Sequence, residues 1–137
     1  MRLDERWYRG RLIELSPSEC AELLTTRPVG RVAYGDADGP VVLTMNYVLD
    51  SGDILFRTAP HSVLARALES GPVAFQVDEF DEYTESGWSV LVRGRAAATY
   101  EDPPRHEDRP NTWAGGARTL FVRISTDTVT GRRLLPV

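Results

Sequence analysis

The chain has 137 residues, of which 42% are hydrophobic and 26% are charged, a composition typical of one soluble domain with its own hydrophobic core. The net charge of −4 argues against a nucleic-acid-binding protein, because such proteins normally carry a basic surface. No apolar run is long enough to span a bilayer, and the charged N-terminus lacks the apolar core of a signal peptide. We therefore expect a cytoplasmic protein that binds neither nucleic acid nor a membrane.

The first part of the chain is predicted to be an arm followed by a helix. Residues 1–14 are polar with scattered aromatic residues, and we expect this arm to lie across the single domain that the whole chain forms. Ser16 suits the N-cap of a helix, Pro17 suits its first position, and Glu19 completes a capping box. The helix should end near Thr26.

After this helix, apolar and polar residues alternate in short segments bounded by Gly, Pro and Asp, which predicts strands joined by turns. The six predicted strands are 31–34, 41–49, 54–58, 73–78, 87–100 and 120–124. A second short helix is expected near 62–69, and residues 50–53 should form a tight hairpin turn. The acidic residues 79–85 are interpreted as a loop or a bulged crossing, 101–118 as a long polar loop, and 131–137 as a tail.

Six short strands, mostly joined as hairpins, and two small helices indicate a closed or half-closed antiparallel barrel. Gly94 lies inside the longest predicted strand and marks a bend or a bulge there. A barrel of this size fills its interior with its own side chains. We therefore expect a ligand to bind outside the barrel or at a subunit interface.

The segment that follows the third predicted strand is the best candidate for a ligand site. The strand ends at Arg57 and Thr58, and the second helix is predicted to begin at or just after Ser62. A helix start carries free N–H groups and partial positive charge, and a guanidinium group matches the geometry of phosphate oxygens. Two interpretations remain open for these residues: a phosphate site, or a Ser62 helix cap with Arg57 on a solvated sheet face.

The order of the segments resembles the pyridoxamine 5′-phosphate oxidase-like family of flavin-binding split barrels, in particular its small actinobacterial members of unassigned substrate. The most specific parts are FRTAP at 56–60, followed by a helix, and GWSVLVRG at 87–94. The resemblance covers about residues 12–133. It implies a mainly β fold, a six-stranded antiparallel split barrel with two or more short helices.

The resemblance also implies a homodimer with two FMN sites at the subunit interface. In this family the phosphate is held by a turn that here contains Arg57, Thr58, His61 and Ser62. The edge of the flavin ring lies along a strand segment that here contains Thr44, Met45 and Asn46. The partner subunit would contribute aromatic residues, here Trp88 and Trp113.

Several of these residues have structural alternatives. Asn46 is polar within an apolar strand and needs a partner if buried, either the flavin or the backbone. Trp88 would form either a stacking wall for the ring or part of a dimer core. Trp113 would anchor its loop to the partner subunit or to the ligand, and His61 would be either a ligand contact or a surface turn residue.

One position departs from the family pattern. Relatives often carry a Lys directly after the hydroxyl residue of the turn, and this chain has Val63 there. Loss of a charge-assisted contact costs about 1.5–3 kcal/mol, which corresponds to roughly ten- to a hundredfold in affinity. A protonated His61 would replace part of the charge, whereas Arg66 lies a turn further along the helix. A deazaflavin (F420) or an empty site is therefore the alternative to FMN.

We expect an FMN-binding oxidoreductase whose substrate is unassigned. The cofactor would carry the hydride or electron chemistry, a nicotinamide donor or the substrate would reduce it, and no side chain is assigned as a catalytic acid or base. The alternatives are a deazaflavin-dependent reductase and a non-enzymatic protein that binds or stores flavin. The chain has two His and one Cys with no Cys/His cluster, so no metal site is predicted.

Overall fold

The computed structural model describes residues 11–60, 62–69, 71–99, 112, 113, 115, 118 and 120–136. These residues form nine strands and two helices: β1 (Arg11–Glu14), α1 (Pro17–Leu24), β2 (Val29–Asp36), β3 (Gly39–Asn46), β4 (Val48–Asp50), β5 (Asp53–Thr58), α2 (Val63–Leu68), β6 (Pro72–Asp81), β7 (Ser86–Thr99), β8 (Leu120–Ile124) and β9 (Thr128–Leu135). Neither helix is long and apolar enough to cross a membrane.

The strands form one antiparallel system in the order β3-β2-β6-β7-β8-β5-β4, with β9 paired to β7 and β1 paired to β9. Strand β7 connects the two halves of the barrel, because its first part pairs with β6 and β9 whereas residues 96–99 pair with β8. Gly94 lies just before this change of partner. A Cβ atom at Gly94 would overlap the carbonyl oxygen of Ser125, so glycine is required for this close approach. The predicted mainly β split barrel is confirmed.

The interior of the barrel is filled by apolar side chains from both halves. Its fully buried members alternate along β5 to β8 and include Ile54, Phe56, Phe75, Val77, Val90, Val92, Val122 and Ile124. The rings of Phe56 and Phe75 stack with their centres 6.4 Å apart, and Tyr47 meets Phe75 edge-on at 5.1 Å. This packing matches the expectation that the interior holds little beyond side chains.

Local signals in the sequence predicted the caps and one turn correctly. The Ser16 hydroxyl accepts a 3.2 Å hydrogen bond from the Glu19 N–H, and the Glu19 carboxylate accepts one of 3.1 Å from the Ser16 N–H. These bonds form the predicted capping box of α1. Ser51 and Gly52, with φ of 51° and 85°, form the predicted tight turn between β4 and β5.

Four predicted boundaries were wrong. Residues 11–14, assigned to the arm, form β1 on the edge of β9. Residues 79–81, assigned to a loop, continue β6, and most of the predicted tail belongs to β9. The predicted strand 41–49 is divided at Tyr47, whose N–H bonds to the Pro28 carbonyl at 3.2 Å instead of joining a sheet ladder.

The division at Tyr47 has a structural consequence. Strand β3 before it pairs with β2, whereas β4 after it pairs with β5 in the other half of the barrel. A continuous strand could not change partners in this way. Strands β3 and β5 are in contact, and because Val48 lies opposite Leu55, the end of β3 at Asn46 lies toward the Arg57 end of β5.

Candidate ligand-binding site

Arg57 lies near the end of β5, directly opposite Phe121 of β8. Its guanidinium carbon is 5.9 Å from the centre of the Phe121 ring, within the range of a cation–π contact. Phe121 is buried and Arg57 is half-buried. The side chain therefore rests on an aromatic ring and is not freely solvated.

The Nε atom of Arg57 is buried and has no hydrogen-bond partner among the described residues. The same is true of Arg118 Nε, and no other described side-chain nitrogen or oxygen is buried in this way. None of the ion pairs between described residues involves either arginine. Buried N–H groups are almost always paired in folded proteins, so two unpaired arginine Nε atoms call for an explanation.

The two arginines belong to neighbouring segments. Thr58 faces Leu120 across the β5–β8 ladder, and Arg118 precedes Leu120 by two residues. Two residues of chain span at most about 7.6 Å between Cα atoms. The Cα atom of Arg118 is therefore no further than this from that of Leu120, which is paired with the last residue of β5. Sequence reasoning missed Arg118, because its only signal is the pairing of β5 with β8, which joins segments more than sixty residues apart.

The hydroxyl residues predicted at the phosphate turn are both placed by the structure. Thr58 is 3% exposed and is the only polar residue among the described ones that is buried. The Ser62 hydroxyl accepts a 3.0 Å hydrogen bond from the Ala65 N–H and caps α2, which has only six residues. The capping role of Ser62 is thus present, and its phosphate role stays a prediction. His61 lies outside the described residues.

Asn46 and Trp113, both predicted as site residues, are in direct contact. The Asn46 amide oxygen accepts a 2.9 Å hydrogen bond from the Trp113 N–H, and its nitrogen donates to the Pro28 carbonyl at 3.3 Å. Both ends of the amide therefore have backbone partners. Because Asn46 ends β3, this arrangement fixes residue 113 against the edge of the barrel beside β5.

A cleft of about 510 Å³ lies at this place. Its walls are the chain from Leu24 to Pro28, the chain from Asn46 to Leu49, and Trp113, which is 70% exposed. The volume is in the range of small-molecule sites. The other walls mix polar side chains with apolar ones such as Val48 and Leu49, and together with the exposed indole they can hold a flat aromatic ligand.

The Tyr47 side chain forms part of the cleft wall. Its hydroxyl donates a 2.5 Å hydrogen bond to the Leu24 carbonyl, which joins the end of α1 to the crossing between β3 and β4. Burial raises the pKa of Tyr47 well above its ordinary value. The group is therefore neutral at physiological pH and serves as a structural donor.

The remaining predicted residues lie apart from this cleft. Thr44 and Met45 face Arg31 and Gly30 across the β2–β3 ladder; Thr44 is exposed and Met45 packs partly against the core. Trp88 is 6% exposed and lines a separate cavity of about 610 Å³ at the β6–β7 hairpin. It lies eight residues before the part of β7 that pairs with β8, roughly 26 Å along an extended strand. Within one chain Trp88 therefore does not join Arg57, and its predicted role would require the partner subunit.

Comparison with known proteins identifies the family of the chain. The sequence model of the family described as pyridoxamine 5′-phosphate oxidase matches residues 16–133. The chain is 28% identical over 131 residues to the uncharacterized protein Rv0080 of Mycobacterium tuberculosis, covering 90% of this chain and 86% of that protein.

Solved structures agree with this match. An FAD binding protein from Mycobacterium smegmatis superposes with a TM-score of 0.72 at 31% identity, covering 90% of this chain and 98% of its own. A conserved protein of unknown function from Corynebacterium diphtheriae superposes with a TM-score of 0.69 at 28% identity, covering 92% and 98%. The chain is similar to these proteins over nearly its whole length, and it belongs to the pyridoxamine 5′-phosphate oxidase family.

Proposed function

We propose that this protein binds FMN at the end of β5 and acts as a flavin-dependent oxidoreductase. The observation that carries the proposal is the buried Nε of Arg57, which has no partner among the described residues. An anionic ligand would give this donor its hydrogen bond and the cation its counter-charge. The FAD binding protein from Mycobacterium smegmatis, 31% identical to this chain, supports a flavin as that ligand.

The residues present fit a flavin nucleotide. Arg57 would hold the phosphate with two parallel hydrogen bonds, supported by the hydroxyls of Thr58 and Ser62 and by His61. The cleft beside Asn46 would take the ring, with Trp113 as its exposed aromatic wall. When bound, the flavin supplies the hydride or electron transfer chemistry, and the chain orients it and limits the access of water.

We further propose that two copies of the chain form a dimer. Strand β3 ends the strand order of the sheet and presents exposed apolar residues, Val42 at 59% and Leu43 at 38% exposure. Exposed apolar residues on a sheet edge favour association with another chain. In such a dimer, Trp88 of one subunit would approach the flavin site of the other.

The experiment is a fluorescence titration of purified protein with FMN, repeated with Arg57→Ala. We expect saturable quenching by the wild type and a Kd at least roughly tenfold higher for the variant, because a charge-assisted contact is lost. Arg66→Ala is the matched control, since Arg66 is an exposed arginine on α2, and it should leave the Kd unchanged. Absence of FMN binding by the wild type would refute the proposal.

Val63 favours one second candidate, a deazaflavin-dependent reductase, because the family's usual lysine is missing at that position. A parallel titration with the deazaflavin (F420) separates the two cofactors by their Kd values. Addition of a nicotinamide donor to the loaded protein then tests for activity. Bound flavin that no donor reduces would instead indicate a flavin-binding or storage protein.

A further inference from the structure

The two unpaired arginine Nε atoms lie in segments that the β5–β8 pairing brings together. Arg57 is on β5, and Arg118 lies two residues before Leu120, the first residue of β8. Thr58 and Leu120 form the last pair of the β5–β8 ladder. Both arginines therefore belong to the same end of the barrel.

A purely structural role does not account for Arg118. A structural arginine in a half-buried position normally donates to a carbonyl or pairs with a carboxylate. Arg118 is half-buried, its Nε is buried without a partner among the described residues, and no described ion pair includes it. An anion bound at this place would supply the hydrogen bond that the buried Nε lacks.

We infer that Arg118 is a second phosphate-binding residue, which supplies the positive charge that Val63 does not. This inference rests on the proposed flavin site, and it adds a residue from the other end of the sequence to that site. A phosphate monoester carries a charge of about −1.5 to −2 at pH 7, so one arginine leaves it incompletely neutralised. Two guanidinium groups match that charge, and each can offer a pair of parallel N–H donors.

The inference predicts two separable effects of Arg118→Gln. The affinity for FMN should fall roughly tenfold or more, whereas the affinity for riboflavin, which has no phosphate, should not change. The melting temperature of the free protein should stay the same or rise, because a buried N–H group without a hydrogen-bond partner is removed. A merely structural arginine would give the opposite pattern, a lower melting temperature and equal losses for FMN and riboflavin.

The experiment measures FMN, FAD and riboflavin binding, with melting temperatures, for the wild type, Arg57→Gln, Arg118→Gln, Arg118→Lys and the control Arg66→Gln. Arg118→Lys keeps the charge and should bind FMN more tightly than Arg118→Gln, which also provides a readout if the glutamine variant folds poorly. Inorganic phosphate should raise the melting temperature of the wild type more than that of Arg118→Gln.

The possible results separate this inference from the proposed function. If Arg118→Gln binds FMN as tightly as the wild type and Arg57→Gln binds it more weakly, the proposed role of Arg118 is overturned and the proposed flavin site stands. Equal loss of FMN and riboflavin binding also overturns it, because the phosphate would not be involved. Failure of the wild type to bind any flavin overturns both.

Discussion

The amide oxygen of Asn46 accepts a 2.9 Å hydrogen bond from the backbone N–H of Trp113, 67 positions further along the chain. The bond joins the end of β3 to the segment before β8 and places an exposed indole on the wall of the candidate cleft. Asn46 thus positions Trp113 and does not depend on a ligand for its own hydrogen bonds.

Substitution of Asn46 should therefore affect the cleft through Trp113. Asn46→Ala removes the bonds to Trp113 and Pro28, and we expect a loss of about 1–2 kcal/mol in the free energy of unfolding. The Kd for FMN should rise several-fold in both Asn46→Ala and Trp113→Ala. The double variant should bind FMN no more weakly than the worse of the two single variants, because both substitutions remove the same contact between the Trp113 indole and the ligand. Additive losses in the titration would show that Asn46 contacts the ligand independently.

Tyr47 makes the free energy of unfolding depend on pH in the alkaline range. Its hydroxyl is buried against the Leu24 carbonyl, and burial raises its pKa in the folded state. In the unfolded chain the pKa is about 10, so the stabilisation is fully present below pH 10 and declines as the pH rises above that value.

Tyr47→Phe tests this dependence. At pH 7 the variant should lose about 1–2 kcal/mol, because the Leu24 carbonyl is left without its donor. Above pH 10 the wild type should lose stability more steeply than the variant, so that their unfolding free energies converge. Urea unfolding between pH 7 and 11 measures this, and Tyr83→Phe, at a fully exposed position, should follow the wild type. Parallel curves for wild type and Tyr47→Phe would contradict the assignment.

Gly94 should tolerate no side chain. A Cβ atom there would overlap the carbonyl oxygen of Ser125, which is part of the backbone and cannot move without disturbing the junction of β7 and β8. We expect Gly94→Ala to lower the free energy of unfolding by about 3 kcal/mol or more.

Gly35→Ala is the matched control for Gly94→Ala. No atom lies within 4 Å of the added Cβ at Gly35, which is also on a strand, so the change in stability should be small. Chemical denaturation of the two variants side by side measures the difference. Similar stabilities would show that the crossing at Gly94 can relax.

The exposed face of β3 provides a test of the proposed dimer. Val42→Glu places a charge at the centre of the proposed interface and should convert a dimer to a monomer in light-scattering measurements of mass. Ala21→Glu is the control, because Ala21 is exposed on α1 and the substitution adds the same charge outside β3. A wild type that is monomeric at high concentration would refute the dimer, and dissociation by both variants would place the interface elsewhere.

Features that depend on neighbouring residues could be predicted from the sequence. The capping box of Ser16 and Glu19 and the turn at Ser51 and Gly52 need only the chemistry of a few adjacent residues. The period-two pattern likewise located the central strands, because each strand buries alternate side chains whichever strand lies beside it. The position of Arg57 at the end of such a strand likewise suggested a phosphate-binding role, which stays a prediction.

The tertiary structure decided which distant segments meet. Nothing local distinguishes Arg118 from a solvated loop arginine, and its unpaired Nε is evident only once β8 lies beside β5. The partners of Asn46 lie at Pro28 and Trp113, and the division of a predicted strand at Tyr47 follows from β3 and β4 joining different halves of the barrel. The physical reason is that strand pairing and the hydrogen bonding of buried side chains depend on contacts between residues far apart in sequence. The periodicity of residues along the chain does not encode these contacts.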